Sequence, residues 1–164
     1  NDSRRRGKNL DYQYSMMITI CGSIAHIDRM IECQKTLELA HHVVHIPAFV
    51  AHDKNGRPMD SKEFYRIRKS GQMDIAWFEV EKSRAMRQHF DFIAQSDAIL
   101  VVNEEKNGIA GYIGGNTLME MGLAFYLNKQ IYLTHPIPEL SYKEEIVGMI
   151  PEVLDGEMSQ LKSN

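Results

Sequence analysis

The run Ala98-Ile99-Leu100-Val101-Val102 restricts the architecture of this chain more than any other stretch. It is apolar at every position and rich in β-branched residues, the pattern of a strand covered on both faces and so of the middle of a parallel sheet. Other segments read as strands around it. Met16 to Cys21 is the first, and His41 to Ile46 is the second, closed by Pro47. Gln130 to Thr134 follows the central run and is stopped by His135-Pro136-Ile137-Pro138, and Glu152-Val153-Leu154 has the length of an edge strand.

Helical patterns fill the spaces between them. One runs from about Ala25 to Ala40 with Ile27, Met30, Ile31, Leu37 and Leu39 as its apolar positions. A longer one, Asp74 to Gln95, is predicted to turn Ile75, Phe78, Val80, Met86, Phe90 and Ile93 inward and Glu79, Glu81, Lys82, Arg84 and Arg87 outward. A third follows Gly115, with a broad apolar surface of Leu118, Met119, Met121, Leu123, Phe125 and Tyr126, and Tyr142 to Ile150 is a short fourth. Strands alternating with helices predict an α/β fold of three layers, a parallel sheet of about five strands with helices on both faces. The 164 residues divide into a polar arm (1–15), one domain (16–155) and a C-terminal tail (156–164). Within the domain, 48–73 is largely polar, with a turn cluster at Asp53-Lys54-Asn55-Gly56-Arg57-Pro58 and a helical patch near Phe64, Tyr65 and Ile67. An excursion of that length reads as a lid over a site or as a surface elaboration.

Composition removes several classes of function. A net charge of −3 is no electrostatic footprint for nucleic acid or anionic membrane, and Arg4-Arg5-Arg6-Gly7-Lys8 reads as a solvated arm. No apolar run approaches the roughly 20 residues of a membrane span. Cys21 and Cys33 are too few for a disulfide framework, so a reducing, cytoplasmic setting is expected. His41, His42 and His45 lack a neighbouring Cys or carboxylate to complete a ligand set, and neither a metal nor a cofactor is expected.

The chemistry is sought where the central strand opens. Glu120 lies in the first turns of the helix after that strand, at the carboxyl edge of the sheet, where open α/β folds bind ligands. Two readings compete for it. Thr117-Leu118-Met119-Glu120 has the spacing of a capping box, in which Glu120 serves the helix end. Alternatively, Gly114 and Gly115 open the backbone to a ligand, and the carboxylate attacks an anomeric carbon to give a covalent glycosyl intermediate. His89 is either a proton donor and carboxylate-orienting group or a partly buried helix histidine. Gly22-Ser23, between the first strand and its helix, is either an anion or ribose seat or a plain turn. Asn103 ends the central strand with a polar side chain at the same edge, and Tyr112, Asn116 and the excursion are placed to meet the base or leaving group. Asp97, at the opposite end of the strand, reads as a backbone cap.

Three motifs together, Cys21-Gly22-Ser23-Ile24, Ser96-Asp97-Ala98-Ile99 and Gly114-Gly115-Asn116-Thr117-Leu118-Met119-Glu120-Met121-Gly122, resemble the nucleoside 2-deoxyribosyltransferase-like superfamily, over a span from Met16 to about Leu154. The resemblance implies a flavodoxin-like sheet, cleavage of the N-glycosidic bond of a nucleoside or nucleotide, Glu120 as nucleophile and a homodimer or larger homo-oligomer. Cys21 to Ile24 is also similar to the first loop of 2′-deoxynucleoside 5′-phosphate N-hydrolases, where it lines the nucleotide site. Two positions depart from the pattern. Gly114 stands where transferases carry an aspartate and the phosphate hydrolases a serine, and His89 falls by spacing where transferases carry a catalytic aspartate. Hydrolysis and transfer both remain open, and so does a nucleotide-binding or sensing module without turnover. A flavin carrier is disfavoured, because the first loop lacks the hydroxyl run that wraps a flavin phosphate.

Overall fold

The computed structural model describes residues 15–47, 50–72 and 74–161. The predicted arm at 1–15, except Ser15, and the last three residues of the predicted tail lie outside them. The central sheet has five parallel strands: β1 (Met17–Gly22), β2 (Val43–His45), β5 (Ala98–Val102), β6 (Gln130–Leu133) and β7 (Glu152–Val153). They lie in the order β2-β1-β5-β6-β7, which is the flavodoxin-like 2-1-3-4-5 arrangement when only the sheet strands are counted. All five residues of β5 are buried, as its uninterrupted apolar run requires.

Side-chain alternation along the strands builds two cores. Ile18, Ile20, Leu100 and Tyr132 point to one face, where α1 (Ile27–Leu39) lays Met30, Cys33 and Leu37 against them. Ile99, Val101, Ile131 and Leu133 point to the other. There they meet Ile93 of α3 (Ile75–Gln95), Met121 and Ala124 of α4 (Gly115–Tyr126) and Ile146 of α5 (Lys143–Gly148). The fold is therefore three-layered, with helices on both faces of the sheet. Among the described residues, no helix is long and apolar enough to cross a membrane.

The excursion is more structured than its sequence suggests. It forms an antiparallel hairpin of β3 (Val50–His52) and β4 (Pro58–Asp60), followed by α2 (Ser61–Ser70). The turn cluster is where it was expected, with Asp53 Oδ1 accepting from the backbone N–H of Asn55 (2.8 Å) and Arg57 (2.9 Å). Asp60 caps α2 by accepting from Lys62 N at 2.6 Å, and Gly71 closes it in the left-handed region at φ 71°. Phe64 then packs edge-on against Trp77 and stacks on Phe78 of α3, at ring-centre distances of 5.5 and 5.9 Å.

That docking corrects the predicted face of α3. Ile75 and Val80 are exposed, whereas Glu81 is buried. The N-terminal half of the helix packs against the hairpin and α2, and only its C-terminal half lies on the sheet. Glu81 Oε2 accepts from the His52 backbone N–H (3.0 Å) and from Arg84 Nη2 (2.8 Å), while Trp77 Nε1 donates to the His52 carbonyl. Leu39, at the last turn of α1, is exposed as well, and so are Met119, Phe125 and Tyr126 of the apolar surface expected on α4.

Because Glu81 joins the hairpin to α3 by charge-assisted bonds, Glu81→Ala is expected to lower stability by about 1.5–3 kcal/mol in urea unfolding. Glu79→Ala, on the exposed side of the same helix, should stay within about 0.5 kcal/mol of wild type. Equal effects of the two substitutions would contradict this docking.

Candidate active site

The site lies where β1 and β5 end side by side. Their register pairs Cys21 with Val101 and Gly22 with Val102, and a Cβ on Gly22 would stand 2.9 Å from the Val102 carbonyl oxygen. Only glycine allows the strands to stay paired up to the edge. Beyond it the chain leaves in opposite senses, from β1 towards β2 and from β5 towards β6, and a cavity of about 430 Å³ opens between the two departures. The loop after β1 supplies Gly22, Ser23 and Ile24 to its wall. Tyr112 and the start of α4 at Gly114, Gly115 and Asn116 supply another side. Phe64, Tyr65 and Arg68 of α2 reach it from the excursion, which thus does form part of the site.

Glu120 and His89 are at the floor. The capping box does not form, because α4 starts at Gly115 with Gly114 as its cap, making Thr117 a residue of the first turn and leaving Glu120 too far along to reach back. Two glycines began the helix earlier than the spacing of Thr117 and Glu120 implied. The Glu120 carboxyl turns instead towards α3, with Oε1 3.7 Å from His89 Nε2. Cys21 Sγ lies 3.5 Å from the same nitrogen and is wholly buried behind the floor. Three elements, β1, α3 and α4, therefore bring a thiol, an imidazole and a carboxyl together. Their donor atoms all lie within 4.8 Å of one another, which also makes them the one cluster of metal-ligand type among the described residues.

Burial sets the charges of this trio. It raises the Glu120 carboxyl from 4.5 to about 8, against the opposing effects of the Cys21 hydrogen bond and the Lys82 charge. The His89 imidazole is pushed down from 6.5 to about 4, by burial first and then by His45. Cys21 is raised well above its usual value by burial and then by the Glu120 charge. The 3.7 Å contact lies within ion-pair distance, but both partners are neutral at pH 7, since a separated charge pair in this setting has too little to solvate it. Glu120 Oε2 and His89 Nδ1 are buried without a hydrogen-bond partner among the described residues.

The walls carry positive charge. Lys106 Nζ donates to Ser23 Oγ at 3.0 Å and stands 5.8 Å from the centre of the Tyr112 ring. Lys82, predicted to face outward, lines the cavity, where burial and the Arg68 charge lower its pKa while Glu120 acts the other way. Neither lysine was among the residues singled out from the sequence. For Lys82 a signal existed, because it precedes His89 by seven residues and so shares its helix face. Asn103 is a correction of a different kind. It is wholly buried, and instead of meeting the cavity its Oδ1 accepts from His135 N (2.9 Å) while its Nδ2 donates to the carbonyls of His135 (3.0 Å) and Gly111 (3.3 Å). It ties the loop after β5 to the loop after β6. Asp97 accepts from Met17 N at 2.8 Å at the far edge of the sheet, the backbone role its position suggested.

No protein-family model matches this chain, and no curated protein matches it.

The floor residues predict an unusual dependence of stability on pH. Glu120 favours the folded state most fully below about pH 4.5 and loses that contribution as pH rises through about 8. His89 runs the opposite way, contributing fully above about pH 6.5 and losing it as pH falls through about 4. The two oppose each other at mildly acid pH, and between about pH 6.5 and 8 only the loss from Glu120 remains. Thermal melts across that interval should give a falling Tm for wild type and a flat one for Glu120→Gln. A parallel decline in the variant would place the effect elsewhere.

Proposed function

We propose that the protein cleaves the N-glycosidic bond of a nucleoside or nucleoside 5′-monophosphate, with Glu120 as nucleophile. One observation carries the reading: a single carboxyl, with one oxygen unpartnered, sits at the floor of a cavity at the switch point of a flavodoxin-like sheet. The cavity accommodates a ligand of nucleoside size. Its lining combines groups suited to both parts of a nucleotide, the cation Lys106 beside Ser23 and the aromatic rings of Phe64 and Tyr65.

In this mechanism the sugar is seated over Glu120 with its ring oxygen and anomeric carbon towards the carboxyl. Positive charge developing on the sugar favours the ionised carboxylate that burial alone disfavours, and His89 Nε2 is the adjacent group that takes up the proton. The carboxylate attacks the anomeric carbon as the nucleobase departs with the bonding electron pair and takes the proton held on His89. Water or a second base then resolves the glycosyl ester, with retention of configuration. Gly22 and Ser23 seat the ribose or its phosphate, and Lys106 beside Ser23 supports the phosphate. Cys21 bounds the site from behind the floor. The exposed Met119, Phe125 and Tyr126 of α4 support association of copies into a homo-oligomer.

The second reading is a nucleotide-binding module without turnover, and the neutral state of Glu120 favours it, because a protonated carboxyl donates a hydrogen bond to a ligand without attacking it. Turnover separates the two. With ribo- and deoxynucleosides and their monophosphates, wild type is expected to release free base on chromatography. Glu120→Gln should lose at least about a thousandfold in kcat while still showing a ligand-dependent rise in Tm. Binding without base release from any substrate, in the presence and absence of an acceptor base, would decide for the module. Among active substrates, Lys106→Ala should raise KM for monophosphates about tenfold and leave nucleosides nearly unchanged. Equal changes for both would remove Lys106 from phosphate recognition.

A further inference from the structure

The trio at the floor has a second chemistry. Cys21 Sγ and His89 Nε2 are 3.5 Å apart, and His89 Nε2 and Glu120 Oε1 are 3.7 Å apart. Zinc binds sulfur at about 2.3 Å and imidazole nitrogen at about 2.0–2.1 Å, so in a tetrahedral site the sulfur and nitrogen stand about 3.5 Å apart and the nitrogen and carboxylate oxygen about 3.3 Å. The first distance is already met, and a shift of a few tenths of an ångström in one side chain gives the second. A second observation points the same way. Glu120 is more than nine-tenths buried, and its Oε2, like His89 Nδ1, has no hydrogen-bond partner among the described residues. A carboxyl left so poorly solvated has its cost offset by a bound cation.

We propose that Cys21, His89 and Glu120 form a binding site for a thiophilic divalent cation, zinc above all, with the fourth coordination position facing the cavity. The donor set makes the choice of metal: a thiol ligand selects against magnesium and calcium, and sulfur, nitrogen and oxygen donors that all lie within 4.8 Å of one another suit zinc. Cys21 and Glu120 each release a proton to solvent on binding. Thiolate, carboxylate and neutral imidazole around Zn²⁺ then give a complex without net charge, which a buried floor tolerates. Because the ligands come from β1, α3 and α4, the fold brings them together before any metal arrives. The proposal goes beyond the glycosidic reading and stands without it. Where both hold, the metal engages the attacking carboxylate, so zinc acts as a reversible inhibitor that competes with substrate.

Cobalt titration of the whole chain tests the site directly, since thiolate ligation gives a charge-transfer band in the near ultraviolet that histidine and carboxylate ligation do not. Wild type is expected to bind one Co²⁺ with this band and to lose it on addition of Zn²⁺. Cys21→Ser should abolish the band, which separates this thiol from Cys33. Zinc affinity measured against a chelator should fall at least about tenfold in Cys21→Ser and in His89→Gln, and stay unchanged in His135→Gln, whose imidazole lies outside the cluster. Absence of the band in wild type overturns the proposal, as does a Cys21→Ser protein that keeps its zinc affinity. Should the variants not fold, the wild-type spectrum and a zinc-dependent rise in its Tm decide alone. Base release without the cobalt band removes only the metal site, and the band without base release removes only the glycosidic reading.

Discussion

The pairing of β1 with β5 is the constraint on which the rest of this structure depends. The strands stay in register to their last residues, Gly22 opposite Val102, and the absence of a Cβ on Gly22 is what permits it. The cavity exists because the two loops leaving that common edge turn away from each other. It has a floor because Cys21, one residue before the glycine, faces α3 and α4 while Ile20 faces α1. Moving β1 by one residue would exchange those faces, putting a thiol in the α1 core and an isoleucine beside His89. The site chemistry is thus tied to the sheet register.

Desolvation then governs what that floor is. A thiol, an imidazole and a carboxyl are all ionisable, yet each is held by burial in its neutral form. The thiol and the carboxyl each hold a proton there, and the imidazole between them is free to accept one. Positive charge brought to the floor, by the sugar of the proposed reaction or by the proposed metal ion, favours ionisation of the thiol and the carboxyl. The same electrostatic deficit therefore underlies the proposed catalysis and the proposed metal site, although the two make different use of Glu120.

Those elements whose environment is uniform along their length were legible in the sequence. β5 is buried on both faces and reads as an unbroken apolar run, and β6 and β7 fall within a residue of where their patterns place them. What misled was mixed environment. α3 has two partners, so its C-terminal half follows an ordinary amphipathic pattern while its N-terminal half buries Glu81 and exposes Ile75 and Val80. The strands of the hairpin are three residues each, too short for alternation to register against a polar background. At the cavity, Glu120, His89 and the Gly22-Ser23 loop, all picked out from the sequence, do line it. The same reading failed for Asn103, because a polar residue at the end of a central strand is equally suited to meeting a ligand and to tying two loops together, and five hydrogen-bonding atoms from neighbouring segments take it for the second task.

The charged residues that line the cavity complete the argument about its ligand. Arg84 is bonded to Glu81, and among the described residues Arg68, Lys82 and Lys106 are the cations that line the cavity without a carboxylate bonded to them. Arg68 and Lys82 sit close enough for the arginine to depress the lysine, an unfavourable pairing that the fold maintains on the side of α2 and α3. Arg68 and Lys82 on the side of α2 and α3, and Lys106 beside Ser23, stand over a floor that is itself neutral and give a pocket whose net field is positive. Such a field favours an anionic ligand at its rim and disfavours a bare cation at its floor. The proposed metal site answers that field with thiolate and carboxylate, which neutralise the ion on arrival, whereas the proposed nucleotide substrate meets it with its own phosphate.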